Sequence, residues 1–329
     1  MLPVIDFDAF RNTATQGQTA AQIVEAANAR GFLNLVNTGI DASHIFDLSR
    51  RFFAKEQAYK DGMKYASPES NRGYCGLGEE KLSDLDKEGR SADIKTLDPD
   101  LKETFQIGRL GDRFANVYPD DWPEFQDTLD KFFVDMADFT REFAAALAIG
   151  LEIDCDFFTP YLSSNDHTLR LLRYPEKHGV AEERIVRAGQ HTDYGFVTFL
   201  FQGDVSGLQV WSLEEQEFAH VSPMKDAIVV NIADMLERWT CGYLKSTLHR
   251  VVSVLPNDTD CINETRKVGQ DNMATIPERF SIAFFTTPNL ESEIGTVPSK
   301  LLDGKTNEPF ISYDYLIERL RSTHKSSEA

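Results

Sequence analysis

Apolar residues recur at helical spacing through the first part of the chain. Between residues 19 and 30, Ile23, Val24 and Ala27 share one face, and Gly31 supplies the kind of residue at which such a helix stops. Residues 42–53 place Ile45, Leu48 and Phe52 together in the same way. The longest signal carries Phe125, Leu129, Phe132, Met136, Phe139, Phe143 and Leu147 at alternating steps of three and four, with Pro123 in its first turn and Gly150 closing it. That stripe predicts a helix packed on a sheet. Residues 1–150 are therefore expected to be mainly helical.

After residue 167 the period changes. Residues 168–174, 194–201, 207–211, 217–221, 226–232, 247–254 and 279–286 are short runs rich in β-branched and aromatic residues. Turn residues such as Gly203-Asp204, Ser206-Gly207, Pro223 and Pro256-Asn257 separate them. Many short strands without intervening helices predict an antiparallel sandwich or jelly roll rather than a parallel sheet. The expected class is α+β with a mainly β core over 167–290, braced by the N-terminal helices and followed by a helical segment over 291–329. No linker divides the chain, so residues 1–329 are read as one unit.

Composition narrows the partners. With 34 Lys+Arg against 53 Asp+Glu, the formal charge is −19. No dense basic patch offsets it, which argues against nucleic acid or an anionic membrane as a partner. No run approaches the roughly 20 apolar residues of a membrane helix, and the N-terminus shows no secretory signal. Cys75, Cys155, Cys241 and Cys261 form no CxxC pair, so free thiols and a cytoplasmic location are expected.

The most informative segment is Gly189-Gln190-His191-Thr192-Asp193-Tyr194-Gly195. If it enters a strand, positions i and i+2 face the same way, so His191 and Asp193 project together. An imidazole beside a carboxylate makes two thirds of a 2-His-1-carboxylate iron site. His249, in the strand-like run from Lys245 to Val252, is the candidate third ligand. His44, His167, His178, His220 and His324 lack such a setting and read as surface or packing residues. A second i, i+2 pair lies in Arg279-Phe280-Ser281-Ile282-Ala283-Phe284-Phe285, where Arg279 and Ser281 share one face and Phe280, Ile282 and Phe284 the other. An Arg among apolar neighbours needs an anionic partner. Either a bound carboxylate or an internal Asp or Glu would serve.

The ordered set His191, Asp193, His249, Arg279 and Ser281 resembles the Fe(II)/2-oxoglutarate-dependent dioxygenases of the isopenicillin N synthase-like superfamily. The resemblance extends to Pro3-Val4-Ile5-Asp6-Phe7, Gly31-Phe32, Leu169-Arg170-Leu171-Leu172-Arg173-Tyr174-Pro175, Gly207-Leu208-Gln209-Val210, and Val229-Val230-Asn231 through Asp234. Asn71-Arg72-Gly73-Tyr74 and Lys102-Glu103-x-Phe105-x-Ile107-Gly108 are similar to the fungal and microbial branch that includes thymine 7-hydroxylase. The chain departs from the family pattern at Thr38, Ala233 and the Trp239-Thr240-Cys241 triplet.

The resemblance implies a double-stranded β-helix, with Fe(II) held by His191, Asp193 and His249. It implies 2-oxoglutarate and O2 as co-substrates, with the far carboxylate of 2-oxoglutarate on Arg279 and Ser281 and Tyr174 near its metal-bound end. Oxidative decarboxylation to succinate and CO2 would accompany hydroxylation, desaturation, epoxidation or ring formation of a small molecule. Phe196 and Phe285 are candidate walls for that substrate, and Asn71, Arg72 and Tyr74 are candidates to reach it from the N-terminal half. An oxidase on the same scaffold that uses no 2-oxoglutarate, a non-catalytic ligand-binding protein and a zinc hydrolase are the other readings. The polar stretch between Pro256 and Glu278 is expected to be a mobile loop.

Overall fold

The computed structural model describes residues 1–65, 70–80, 100–111, 114–180, 185–254 and 273–324. In chain order its strands are β1 (Val4–Asp6), β2 (Phe32–Val36), β3 (Gly73–Cys75), β4 (Glu103–Gly108), β5 (Thr168–Tyr174), β6 (Lys177–Val180), β7 (Val186–His191), β8 (Val197–Gln202), β9 (Leu208–Ser212), β10 (Glu217–His220), β11 (Ile228–Ile232), β12 (His249–Val252), β13 (Met273–Ile276), β14 (Arg279–Phe285), β15 (Glu293–Ile294) and β16 (Phe310–Ile311). An eight-stranded sheet has the order β1-β2-β11-β8-β14-β5-β4-β3, and a four-stranded sheet has the order β10-β9-β12-β7.

From β5 to β14 the chain shuttles between the two sheets. β5, β8, β11 and β14 lie in the larger one, and β7, β9, β10 and β12 in the smaller. That alternation is the winding of a jelly roll. β6 and β13 pair as a separate ribbon.

The alternation of side chains in each strand divides the core in two. On β8, Val197, Phe199 and Phe201 join the large cluster facing the helices, while Leu200 packs towards the interior between the sheets. The Pro123–Gly150 helix covers the outer face. Phe139 and Phe143 meet Phe199 edge-on at 5.3 and 5.4 Å, and Phe132 meets Phe201 at 5.6 Å. All seven residues of the anticipated stripe are buried. The interior cluster is smaller: Leu172, Tyr174, Ala188, Val251 and Ala283. It leaves room among apolar walls for polar side chains.

The structure corrects several expectations. The N-terminal part is not only helical, since β1 to β4 extend the large sheet at both edges. β3 and β4 are buried on both faces and so show no alternation that a sequence pattern could reveal. Gly150 is the last residue of its helix, as anticipated, and it has a second role: a Cβ there would lie 2.3 Å from Ala20 O on the Gln16–Ala29 helix, so this glycine also permits close helix packing. Gly31 does end the Gln16–Ala29 helix, with φ +69°. In the C-terminal segment the α-helix is confined to Ser312–His324, after two short strands. The expectation of a mobile 256–278 loop falls mostly on residues 255–272, outside the described residues.

His167 is a packing residue, 1% exposed and 5.5 Å edge-on from Phe284. Its Nδ1 accepts the Thr287 N–H at 3.2 Å. Burial, reinforced by the charge of Arg141, brings this imidazole down to about 3. The unfolded chain, with an ordinary value of about 6.5, binds more protons between those limits. Stability is therefore retained above about pH 6.5 and declines as pH falls towards 3, by at most about 1.4 kcal/mol per pH unit from this group. Urea midpoints measured from pH 7 to 4 should fall less steeply in His167→Asn than in the wild type. Identical slopes would contradict this assignment.

Candidate metal centre

His191 and His249 are direct cross-strand partners in the β7–β12 pair. Their ring centroids lie 4.3 Å apart. Asp193 follows in the loop after β7, and its Oδ1 is 3.8 Å from the Nε2 atom of each imidazole. The three ligand atoms lie within 4.8 Å of one another. His191 and Asp193 are therefore neighbours as expected. His191 is the last residue of β7, and Asp193 stands two residues beyond it, in the segment that leads to β8.

The segment after Asp193 is fixed by close backbone contact. Phe196 N–H donates to Thr286 O at 2.8 Å, and a Cβ on Gly195 would lie 2.1 Å from the same oxygen. Only glycine allows Thr286, the residue after β14, to approach the loop this closely.

The donor set is chemically ready for a divalent cation. His191 Nδ1 donates to Gly189 O at 2.8 Å and His249 Nδ1 to Thr247 O at 3.1 Å. A carbonyl can only accept, so each proton is assigned to Nδ1 and each Nε2 lone pair points inward. Phe32 meets the His249 ring edge-on at 5.3 Å. Asp193 Oδ2 accepts from Thr198 Oγ1 at 2.5 Å and Asn231 Nδ2 at 2.8 Å, which leaves Oδ1 facing the imidazoles. Burial opposes charge on Asp193, but the two imidazoles and these donors bring its carboxyl below the usual range. Burial, aided by His249, brings His191 down to about 4. Two imidazoles and one carboxylate are the ligand types of an open Fe(II) site.

Across the interior, Arg279 is 1% exposed. Its Nη1 donates to Ser281 Oγ at 3.2 Å and its Nη2 to Gln202 Oε1 at 3.4 Å. Its guanidinium carbon lies 5.1 Å from the Tyr174 ring centroid, and the two residues are register partners of β14 and β5. The interior thus holds a metal-type cluster and, on the opposite sheet, a guanidinium beside a hydroxyl.

The remaining candidates divide. Phe285 lies on the Arg279 and Ser281 face, with Arg170 5.7 Å from its ring centroid. Asn71 reaches the same region through Gln106, which donates to Asn71 Oδ1 while its Oε1 accepts from Arg170 Nε at 2.6 Å. Arg72 lies flat over Gly108, where a Cβ would come within 1.9 Å of its guanidinium carbon. Tyr74 and Phe196 are placed elsewhere. Tyr74 OH donates to Glu103 Oε2 at 2.5 Å, and its ring packs on Phe52 beneath the helices. Phe196 is fully buried against Phe158 and Trp239. Strand parity sends the Tyr74 ring to the helix side, and the turn after Gly195 does the same for Phe196.

Sequence reasoning missed the residues that hold the ligands. Asn231 and Thr198 grip Asp193. Asp100 Oδ1 accepts the Gly189 N–H at 3.2 Å, bracing the residue whose carbonyl orients His191. Lys102 Nζ in turn donates to Asp100 Oδ2 at 2.6 Å. Burial would lower the Lys102 ammonium, but Asp100 and Glu80 outweigh it and hold it above its ordinary value. The available signal was parity: Thr198 and Asn231 occupy the inward-facing positions of β8 and β11.

Among the described residues no helix is long and apolar enough to cross a membrane. Residues 165–288 match the 2OG-Fe(II) oxygenase superfamily, and residues 2–125 match the non-haem dioxygenase in morphine synthesis N-terminal family. The 2-oxoglutarate-Fe(II) type oxidoreductase ppzD of Metarhizium majus (strain ARSEF 297) is 32% identical over 330 residues, covering 92% of this chain and 88% of its own. Crystal structures of full-length Neurospora crassa thymine-7-hydroxylase with alpha-KG, without and with thymine, each superpose with a TM-score of 0.81. They are 34% and 33% identical to this chain, cover 98% of it, and are covered over 96% and 97% of their own length. The chain belongs to the 2OG-Fe(II) oxygenase superfamily.

Proposed function

We propose that this protein couples decarboxylation of 2-oxoglutarate to oxidation of a small planar polar molecule, with hydroxylation as the outcome. The carrying observation is the convergence of His191 Nε2, His249 Nε2 and Asp193 Oδ1, each turned inward by a hydrogen bond on its other atom. In this reading His191, Asp193 and His249 hold Fe(II), which when bound supplies the activation of O2. Arg279 receives the far carboxylate of 2-oxoglutarate as a fork, with Ser281 adding a hydroxyl donor. Tyr174, expected near the metal-bound end of 2-oxoglutarate, has its ring beside the Arg279 guanidinium instead, and in this reading it keeps that fork in place. Leu172, Ala188, Val251 and Ala283 exclude water around the reacting atoms.

Phe285 offers an aromatic wall, and the Arg170–Gln106–Asn71 chain offers polar groups beside it. A ring with hydrogen-bonding edges suits such a lining, and the Neurospora thymine-7-hydroxylase was crystallised with thymine and with 5-formyluracil. The whole of 1–329 acts as one unit in this reading, supported by β1 and β2 continuing the catalytic sheet through β11. A cytoplasmic setting is part of it, supported by the free thiols of Cys75, Cys155 and Cys241, and cell fractionation checks it.

The test is a screen of nucleobases, related heterocycles and amino acids with Fe(II), 2-oxoglutarate and O2. A substrate should raise succinate release and gain one oxygen atom by mass. A substrate consumed with no succinate formed would replace this reading by the oxidase on the same scaffold.

A further inference from the structure

The metal-ligand loop is also held from a direction that none of the ligand contacts requires. Asp234 opens the Asp234–Trp239 helix, and its carboxylate is fully buried. Its backbone N–H donates to Asp193 O at 2.8 Å. Its Oδ1 accepts from Ser246 Oγ at 2.7 Å, in the segment leading to His249. Its Oδ2 accepts from Thr192 Oγ1 at 3.2 Å. Asp234 therefore ties together the approaches to Asp193 and His249.

The Ser312–His324 helix completes this arrangement. Tyr315 and Arg319, four residues apart, share one helical face. Tyr315 OH donates to Asp234 Oδ2 at 3.4 Å, and Arg319 Nη2 lies 3.2 Å from the same oxygen. Arg319 Nη2 also donates to Thr192 Oγ1 at 3.4 Å, and its guanidinium carbon stands 4.8 Å from the Tyr194 ring centroid. One guanidinium thus touches both chain neighbours of Asp193 and the carboxylate that anchors them. An ion pair at the surface contributes little, but here Asp234 is buried and Arg319 is 17% exposed. A helix of 13 residues is marginal in isolation and is held by its tertiary contacts.

We propose that Arg319 is a positioning residue for the metal centre: it clamps Thr192 and Tyr194 onto Asp234, so that the C-terminal helix must be docked for Asp193 Oδ1 to face the two imidazoles. This rests on the metal site assigned above. Because coupling is reciprocal, metal in that site stabilises the docked helix.

The experiment uses the full chain with Co(II), whose visible bands report its coordination. Arg319→Ala should weaken Co(II) binding about 10- to 100-fold, the range for residues that orient metal ligands. It should also raise amide hydrogen exchange over residues 192–196. Arg319→Lys keeps the charge but not the planar fork, so it should recover only part of the affinity. Adding Co(II) to the wild type should slow exchange in residues 312–319. Wild-type Co(II) affinity in Arg319→Ala would overturn the clamp, whether or not its Tm falls, because a packing role alone moves only Tm. Should Arg319→Ala fail to fold, Arg319→Gln is measured with the same two outcomes. Asp193→Ala separates the two assignments: Co(II) binding retained there overturns the metal site itself, whereas binding lost there and retained in Arg319→Ala overturns only the clamp.

Discussion

Asp193→Ala should eliminate turnover and lower Fe(II) affinity by well over the roughly 100-fold that loss of a supporting residue can cost. The substitution removes the one anionic member of the cluster, and with it the charge that offsets a divalent cation among two neutral imidazoles. It also leaves Thr198 Oγ1 and Asn231 Nδ2 aimed at an empty position. Buried donors that lose their acceptor cost about 1–3 kcal/mol each in stability, so a lower Tm should accompany the loss of metal. Asp193→Asn separates these effects. It preserves the shape and one acceptor oxygen, so it should restore much of the Tm while leaving metal affinity low. Wild-type turnover in Asp193→Ala at ordinary Fe(II) concentrations would refute the ligand assignment.

Arg279→Ala should raise the apparent KM for 2-oxoglutarate far more than it lowers kcat with the co-substrate saturating. Truncating one partner of a buried, hydrogen-bonded charge pair costs about 2–5 kcal/mol, and the low end of that range is roughly 30-fold in affinity. The effect falls on binding because Arg279 holds the end of 2-oxoglutarate remote from the metal. Arg279→Lys retains the charge without the two-pronged geometry and should lie between the extremes. The measurement is initial rate against 2-oxoglutarate at fixed substrate. An unchanged KM would assign Arg279 to internal packing with Tyr174 and Gln202 alone.

The long-range field makes this local anchor more important. A chain of formal charge −19 repels a dianion at a distance. Attraction must come from the interior cation on β14 together with the metal. Buried between the sheets, such charges are screened less than charges at the surface. The charge that argued against nucleic acid thus describes the outer surface, and co-substrate capture depends on a local reversal of sign.

The jelly-roll strands and the principal polar residues were legible in the sequence because each signal was local. Seven strands appeared as β-branched and aromatic runs, and Arg279 and Ser281 appeared as polar positions on one face of an otherwise apolar strand. β7 was not separately visible, because its run from Val186 to His191 is mostly polar or small, with Arg187 and Gln190 buried in it. The face taken by Tyr74 was not legible, because β3 has three residues, too few for a pattern to show which side is inward. The clamp on Asp193 was illegible for another reason. Thr192 is 42 residues from Asp234, and Tyr315 is 81 residues from it. Nothing in the local pattern around Arg319 indicates that the C-terminal helix returns to the metal-ligand loop.

The central claim is that one interior holds Fe(II) on three named side chains and 2-oxoglutarate between that metal and Arg279. A crystal grown without oxygen, with Fe(II) and 2-oxoglutarate present and data collected at the iron absorption edge, tests it most directly. The expected result is a single anomalous peak bonded to His191 Nε2, Asp193 Oδ1 and His249 Nε2, with the far carboxylate of 2-oxoglutarate on Arg279 and Ser281. A peak at other residues, or 2-oxoglutarate bound away from Arg279, would contradict the account.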